Sequence, residues 1–341
     1  LQRLVENQLR WSLMPKEYSY LAIFGFISLL VFTWYFLYIS QLNILGFVIA
    51  SLLSSILSVM YGIYLISSKI NLSLRISKDV LITLLNFSYP LVFSSAAFYV
   101  FNYSDRWMLQ LFDSTQSVGL YGGASRIAIL AVTIHILLRS AFMPLVYDRY
   151  KEAKTPEDIS TIFSLITVLG LIMVGCISVY SKPLVTLVLG ENYLQSASIV
   201  TLISVSLILM NSYFYAPGIA IAKKTKLIAF ISLICALVNI IGNFFLIPLF
   251  SIKGAAISSV LASIILVGMY FFFGQREYKI NYEYKFILLL LIFWTISLSL
   301  INIFVDKILF KTLIVGIMII ITLFSSRMRL RKALASLNLN I

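Results

Sequence analysis

Ten runs of 19 to 26 mostly apolar residues divide this chain, at about 18–39, 43–66, 81–103, 117–142, 160–181, 195–219, 226–247, 253–274, 284–304 and 307–325. The hydrocarbon core of a bilayer is about 30 Å thick, and a helix of roughly 20 apolar residues crosses it. No water is present there to satisfy backbone N–H and C=O groups, so each run is predicted to be a helix. A membrane β-barrel would alternate polar and apolar residues in segments of about ten, and these runs do not alternate in that way. Composition agrees. Of 341 residues, 61% are hydrophobic and 11% charged, against about 25% charge in a soluble domain. Mean hydropathy is +1.00. The fold class expected is all-α, a polytopic membrane bundle of about ten transmembrane helices.

The net charge of +13 would suggest an anionic partner if the basic residues were scattered. They are not. Nineteen of the 26 Lys and Arg fall in alternate connections: 1–17, 67–80, 143–159, 220–226, 275–285 and 326–341. The other connections hold five: Arg106, Lys182, Lys253, Lys307 and Lys311. Basic residues collect on the cytoplasmic side of membrane proteins. Both termini are therefore expected to be cytoplasmic, in a cell inner (cytoplasmic) membrane, and the charge reports topology and no nucleic-acid partner. The longest connection, 143–159, is too short for an independent domain, which takes about 50 residues. Tyr and Trp gather near span ends (Trp34, Tyr35 and Tyr38; Tyr103 and Trp107), as interfacial anchors do.

Enzyme chemistry has little support. Cys176 and Cys235 lie in apolar runs, His135 is the sole histidine, and no HExxH, Walker or GxGxxG motif occurs. No cofactor and no metal site is expected, and the chain is read as a transporter.

Polar residues inside spans are costly unless they face protein or water. Ser88, Ser95, Tyr99, Asn102 and Arg106 share one face of the third span. Ser232, Asn239 and Asn243 form a second stripe on the seventh, and Ser204 and Asn211 a shorter one on the sixth. Each stripe reads equally as helix packing or as the wall of a polar cavity. Asp105 and Arg106 are expected to close the third span. Arg126 lies about nine residues into the fourth, where an arginine must be hydrated or paired. Two readings are open for it: an anion-binding group in a hydrated cavity, or a structural pair with Asp105. His135 and Arg139 lie four apart on one face, the first read as packed and the second as reaching the interface. Small residues recur every four positions in the eighth span (Gly254, Ser258, Ala262), predicting close helix packing. Gly119, Gly122 and Gly123 predict the same at the start of the fourth.

The stretch Asn102-Tyr103-Ser104-Asp105-Arg106-Trp107-Met108-Leu109, followed by Val118-Gly119-Leu120-Tyr121 and Arg126, resembles the second-lobe opening of the polysaccharide flippases. These are the O-antigen and capsule type (Wzx-like) members of the MOP superfamily, which also holds the MATE drug exporters and the lipid II flippase. Leu189-Gly190-Glu191-Asn192-Tyr193, Lys223-Lys224-Thr225-Lys226, Asn239 and Asn243 with Ile247 and Pro248, and Gly254-Ala255-Ala256 extend the resemblance over nearly the whole chain.

The resemblance implies fourteen helices: two six-helix lobes and an extra pair. On that pattern residues 1–80 finish a first lobe of which four helices are absent, 81–274 form a complete second lobe, and 275–341 supply the extra pair and a basic tail. It implies a flippase that moves polyprenyl-pyrophosphate-linked oligosaccharide repeat units across the cytoplasmic membrane by alternating access. Implied partners are the lipid-linked oligosaccharide, membrane lipids, and a polysaccharide polymerase and glycosyltransferases. Arg126 becomes the leading head-group ligand, with Arg106, Asn102, Asn239 and Asn243 as further polar groups of the cavity. The alternatives left open are a MATE-like cation antiporter, which calls for an acidic cavity, and a non-transporting truncated scaffold.

Overall fold

The computed structural model describes residues 2–12, 14–67, 77–304 and 307–337. Lys69 and Arg75, two of the basic residues used to orient the chain, lie outside these. In chain order the helices are α1 (Gln2–Trp11), α2 (Pro15–Trp34), α3 (Asn43–Ser67), α4 (Lys78–Phe112), α5 (Thr115–Arg149) and α6 (Thr155–Leu189). They continue as α7 (Ala197–Ser212), α8 (Gly218–Ile221), α9 (Thr225–Phe250), α10 (Ile252–Glu277), α11 (Tyr284–Phe304) and α12 (Ile308–Leu337). Among the described residues, ten helices are long and apolar enough to cross a membrane. The chain divides into two compact units, Leu1–Leu81 and Ile82–Ile341.

In the first unit α3 presents a seam of small residues. Gly46, Ala50, Ser54, Ser58 and Gly62 recur every four positions, and all are buried. Such spacing lets helix backbones approach closely within lipid. Here Ser54 Oγ donates to the Gly25 carbonyl at 3.0 Å and lies 2.8 Å from Ser28 Oγ on α2. Leu9 of α1 packs against Leu21 and Ile66.

In the second unit Ala124, Ala128 and Ala131 of α5 pack against Ile199, Val200 and Ile203 of α7 and Ala255 and Ala256 of α10. α9 and α10 meet closely, as their small residues predicted. A Cβ on Gly254 would fall 2.1 Å from the Leu246 carbonyl oxygen, so no larger residue fits without moving backbone. Gly119 and Gly122 differ from expectation. Only Gly123 of that trio packs, against Leu189 and Tyr193, while Gly119 and Gly122 have nothing within 4 Å.

α11 and α12 dock on α6. The Trp294 ring is 1% exposed and sits over Gly175, where a Cβ would approach the ring to 2.0 Å. Its indole N–H donates to Thr322 Oγ1 at 3.0 Å. The connector 278–283 is tied down by polar contacts. Tyr282 donates to the Tyr215 carbonyl at 2.5 Å, and Ser160 donates to the Asn281 carbonyl at 2.8 Å. Burial pushes the Tyr282 phenol above its usual range.

Two boundaries depart from the sequence reading. α4 does not close at Asp105 and Arg106 but runs on to Phe112, because Asp105 finds partners inside the bundle and needs no water. The sixth span is not one helix. Pro217 lacks an N–H and disfavours helical geometry at the residue before it, so α7 ends in a short 3₁₀ turn, Tyr213–Tyr215, with Ala216 at φ −113° and ψ 66°.

Candidate functional site

The polar residues expected to share one cavity fall into two separate places in the second unit. One is sealed. Asp105 (α4) is 4% exposed, and Asn239 and Asn243 (α9) are both 0%. Tyr121 Oη (α5) and Ser259 Oγ (α10) donate to Asp105 Oδ2 at 2.5 and 2.6 Å. Asn243 and Asn239 donate through Nδ2 to Oδ1 at 2.7 and 3.1 Å. Ser104 Oγ donates to Asn239 Oδ1 at 2.5 Å.

Four helices thus converge on one carboxyl group. The one-turn spacing of Asn239 and Asn243 puts both amides on one face of α9. Ser259 rides on the small-residue face of α10 that permits the close approach. Four donors on two oxygens suit an ionised carboxylate, which only accepts. Among the described residues no basic side chain forms an ion pair with it. The negative charge is therefore met by neutral dipoles alone. Asn243 Oδ1, in the same cluster, is buried without a hydrogen-bond partner.

This arrangement corrects two expectations. Asn239 and Asn243 do not line an open cavity, because each is fully enclosed and turned toward Asp105. Nor do Asp105 and Arg126 form a pair. Sequence reasoning also missed Tyr121 and Ser259 as members of the cluster. In the sequence Tyr121 stands only within the Val118-Gly119-Leu120-Tyr121 stretch, and Ser259 is one of several small residues along the eighth span.

The second place is open. Arg126 is exposed on α5, and among the described residues it forms no hydrogen bond or ion pair. Gly122 and Gly119, four and seven residues earlier on the same face, leave the surface beside it empty. On α4, Ser88, Ser95, Tyr99 and Asn102 are all exposed, so the predicted stripe is a real outer face. Asn102 Nδ2 returns to its own helix at the Phe98 carbonyl, 2.7 Å away. Arg106 is half-buried, its guanidinium 5.4 Å from the Tyr103 ring centroid.

The remaining candidates have structural surroundings. Arg139 stacks on Phe214 at 3.8 Å and donates to Asn211 Oδ1 at 3.4 Å. Ser204 bonds to the Val200 carbonyl of its own helix. His135 is buried with Nε2 against Gly170, where an added Cβ would come to 2.8 Å.

This fold is shared with known structures of the MATE and MOP transporter class. An outward-facing multidrug resistance MATE family transporter of the MOP superfamily aligns at a TM-score of 0.68 and 15% identity, over 81% of this chain and 65% of that one. The lipid II flippase MurJ in an inward closed conformation aligns at 0.62 and 17% identity, over 93% and 69%. A MATE structure in a bent conformation aligns at 0.64 and 14%, over 77% and 62%. This chain therefore spans a little under two thirds of the length of the two MATE structures. Among curated proteins nothing matches the sequence. The family model described as "Polysaccharide biosynthesis protein" matches residues 4–198, and the chain belongs to that family. It is a multi-pass helical membrane protein with a MATE/MOP-like fold.

Proposed function

We propose that this protein moves polyprenyl-pyrophosphate-linked oligosaccharide repeat units from the cytoplasmic to the outer leaflet, with Arg126 engaging the pyrophosphate. The observation that carries this reading is an exposed, unpaired arginine on a membrane-spanning helix. A bare guanidinium in hydrocarbon is costly, and nothing among the described residues buries or neutralises this one. Its five N–H donors in a rigid fork match phosphate oxygens bidentately. Family membership in polysaccharide biosynthesis and the likeness of fold to a lipid II flippase support this class of substrate. The alternating positive charge of the connections supports cytoplasmic termini in the inner membrane.

Asp105 has a different part. Its two oxygens already accept four hydrogen bonds, so it acts as a fixed tie among α4, α5, α9 and α10. Its enclosure leaves no room for an amphipathic drug cation, which disfavours the MATE-like reading even though the carboxylate is there.

The experiment is to replace Arg126 in the full-length protein in its own cell. Arg126→Ala is expected to abolish surface polysaccharide at unchanged membrane abundance. Normal polymer from that variant would refute the assignment.

A further inference from the structure

α4 and α9 run parallel, as their contacts advance together. Ser94 Oγ lies 2.7 Å from Ser232 Oγ, Ser104 donates to Asn239, and Phe112 packs edge-on to Phe244. Toward their N-terminal ends the two helices leave an apolar groove of about 620 Å³. Its floor is Pro90, Ala97 and Ala236, all buried, and Ala96 and Ala229 line it with no more than a methyl each. Phe93 and Phe230 project from the rims, 68% and 55% exposed. The serine pair, with Ala97 and Ala236 in one buried cluster, ties the two helices together beside the furrow.

Polar chemistry sits at one end only. The first groove residues on the two helices are Tyr89 and Lys226, and the parallel register places them together. Lys226 is exposed and lies in the first turn of α9, whose N-terminus has no side-chain cap. Nearby Lys224 is already taken, its ammonium 2.7 Å from Glu277. An uncapped helix N-terminus with a free lysine and a phenol favours an anion. A second apolar cavity, of about 590 Å³ between α6, α7, α10 and α11, has no charged side chain in its lining.

We propose that the α4–α9 groove holds one anionic glycerophospholipid, an acyl chain lying along the furrow and the phosphate resting on Lys226 and Tyr89. At 1.5 Å per residue the groove runs about 16 Å along α4 and about 21 Å along α9. One leaflet of the hydrocarbon core is about 15 Å deep, so the length suits an acyl chain better than the longer polyprenyl chain of the transported lipid. The connection 220–226 belongs to the basic set, which assigns the headgroup to the cytoplasmic leaflet.

The test is native mass spectrometry of the purified full-length protein, offered equal phosphatidylglycerol and phosphatidylcholine. Wild type is expected to retain phosphatidylglycerol with a preference of about fivefold, the effect of one lysine beside an anionic lipid. Lys226→Gln, a surface change, should bring the preference to near unity while chain binding persists. Ala229→Trp should fill the groove and lower retention of both lipids. Equal retention of the two lipids by wild type, or an undiminished preference in Lys226→Gln, would overturn the proposal. Displacement of phosphatidylglycerol by a polyprenyl phosphate would overturn it too, by giving the groove to the carrier. None of these readouts involves transport, so this site and Arg126 fail separately.

Discussion

α4 carries two polar faces with opposite surroundings. On one, Ser88, Ser95 and Asn102 are exposed, and on neighbouring α5 Arg126 is equally open. On the other, Ser104 and Asp105 are sealed against Tyr121, Asn239, Asn243 and Ser259. The sealed group has its charge met by fixed donors, and the open group has its charge met by no partner among the described residues. A buried cluster gathered on one fully bonded carboxylate holds helices in one arrangement. An unpaired exposed cation is available to a ligand. Stability is therefore expected to follow Asp105, and substrate handling to follow Arg126.

The largest expected effect lies in the sealed cluster. Asp105→Ala leaves four buried donors without their acceptor and should cost at least about 3 kcal/mol, since each stranded buried donor costs about 1–3 kcal/mol. Thermal unfolding of the purified protein in detergent would show it. Tyr121→Phe removes one donor from a charged acceptor and should cost about 1.5–3 kcal/mol in the same measurement. A loss within 0.5 kcal/mol for Asp105→Ala would mean that the cluster is not the clamp inferred from its geometry, since surface changes fall in about that range.

Effects at the open flank should appear in function and not in stability. Arg126→Lys keeps the charge but loses the bidentate fork, and a fall of about tenfold in polysaccharide export is expected, equivalent to about 1.4 kcal/mol. Its unfolding midpoint should match wild type. Gly119→Ala should be the mildest change, within about 0.5 kcal/mol, because nothing lies within 4 Å of the added methyl. Marked destabilisation there would show that the flank is packed after all.

Much of the fold is legible in the sequence, because a bilayer leaves a long apolar run few choices besides a helix. All ten predicted runs correspond to candidate spanning helices. The small-residue face of α10 was equally plain, since only close packing explains Gly254, Ser258 and Ala262 on one stripe. Helix ends were harder to read. Asp105 looked like a terminus because a charge usually marks the membrane edge, and its rescue depends on residues 16 to 154 positions away. The same distance hid the candidate site's division. Helical phase groups residues on one helix, but it does not say which stripe meets a neighbour and which stays open. Asn102 and Asn239 look alike in sequence, yet one is exposed and the other enclosed.

Binding of a sugar-free polyprenyl pyrophosphate to the purified full-length protein tests the division most directly. Wild type, Arg126→Ala and Asp105→Asn would be compared at fixed ionic strength. Loss of a charge-assisted phosphate contact should weaken binding in Arg126→Ala by about tenfold or more, with Asp105→Asn binding as wild type does. Unchanged affinity in Arg126→Ala, or an equal loss in Asp105→Asn, would contradict the assignment of the head group to the open flank.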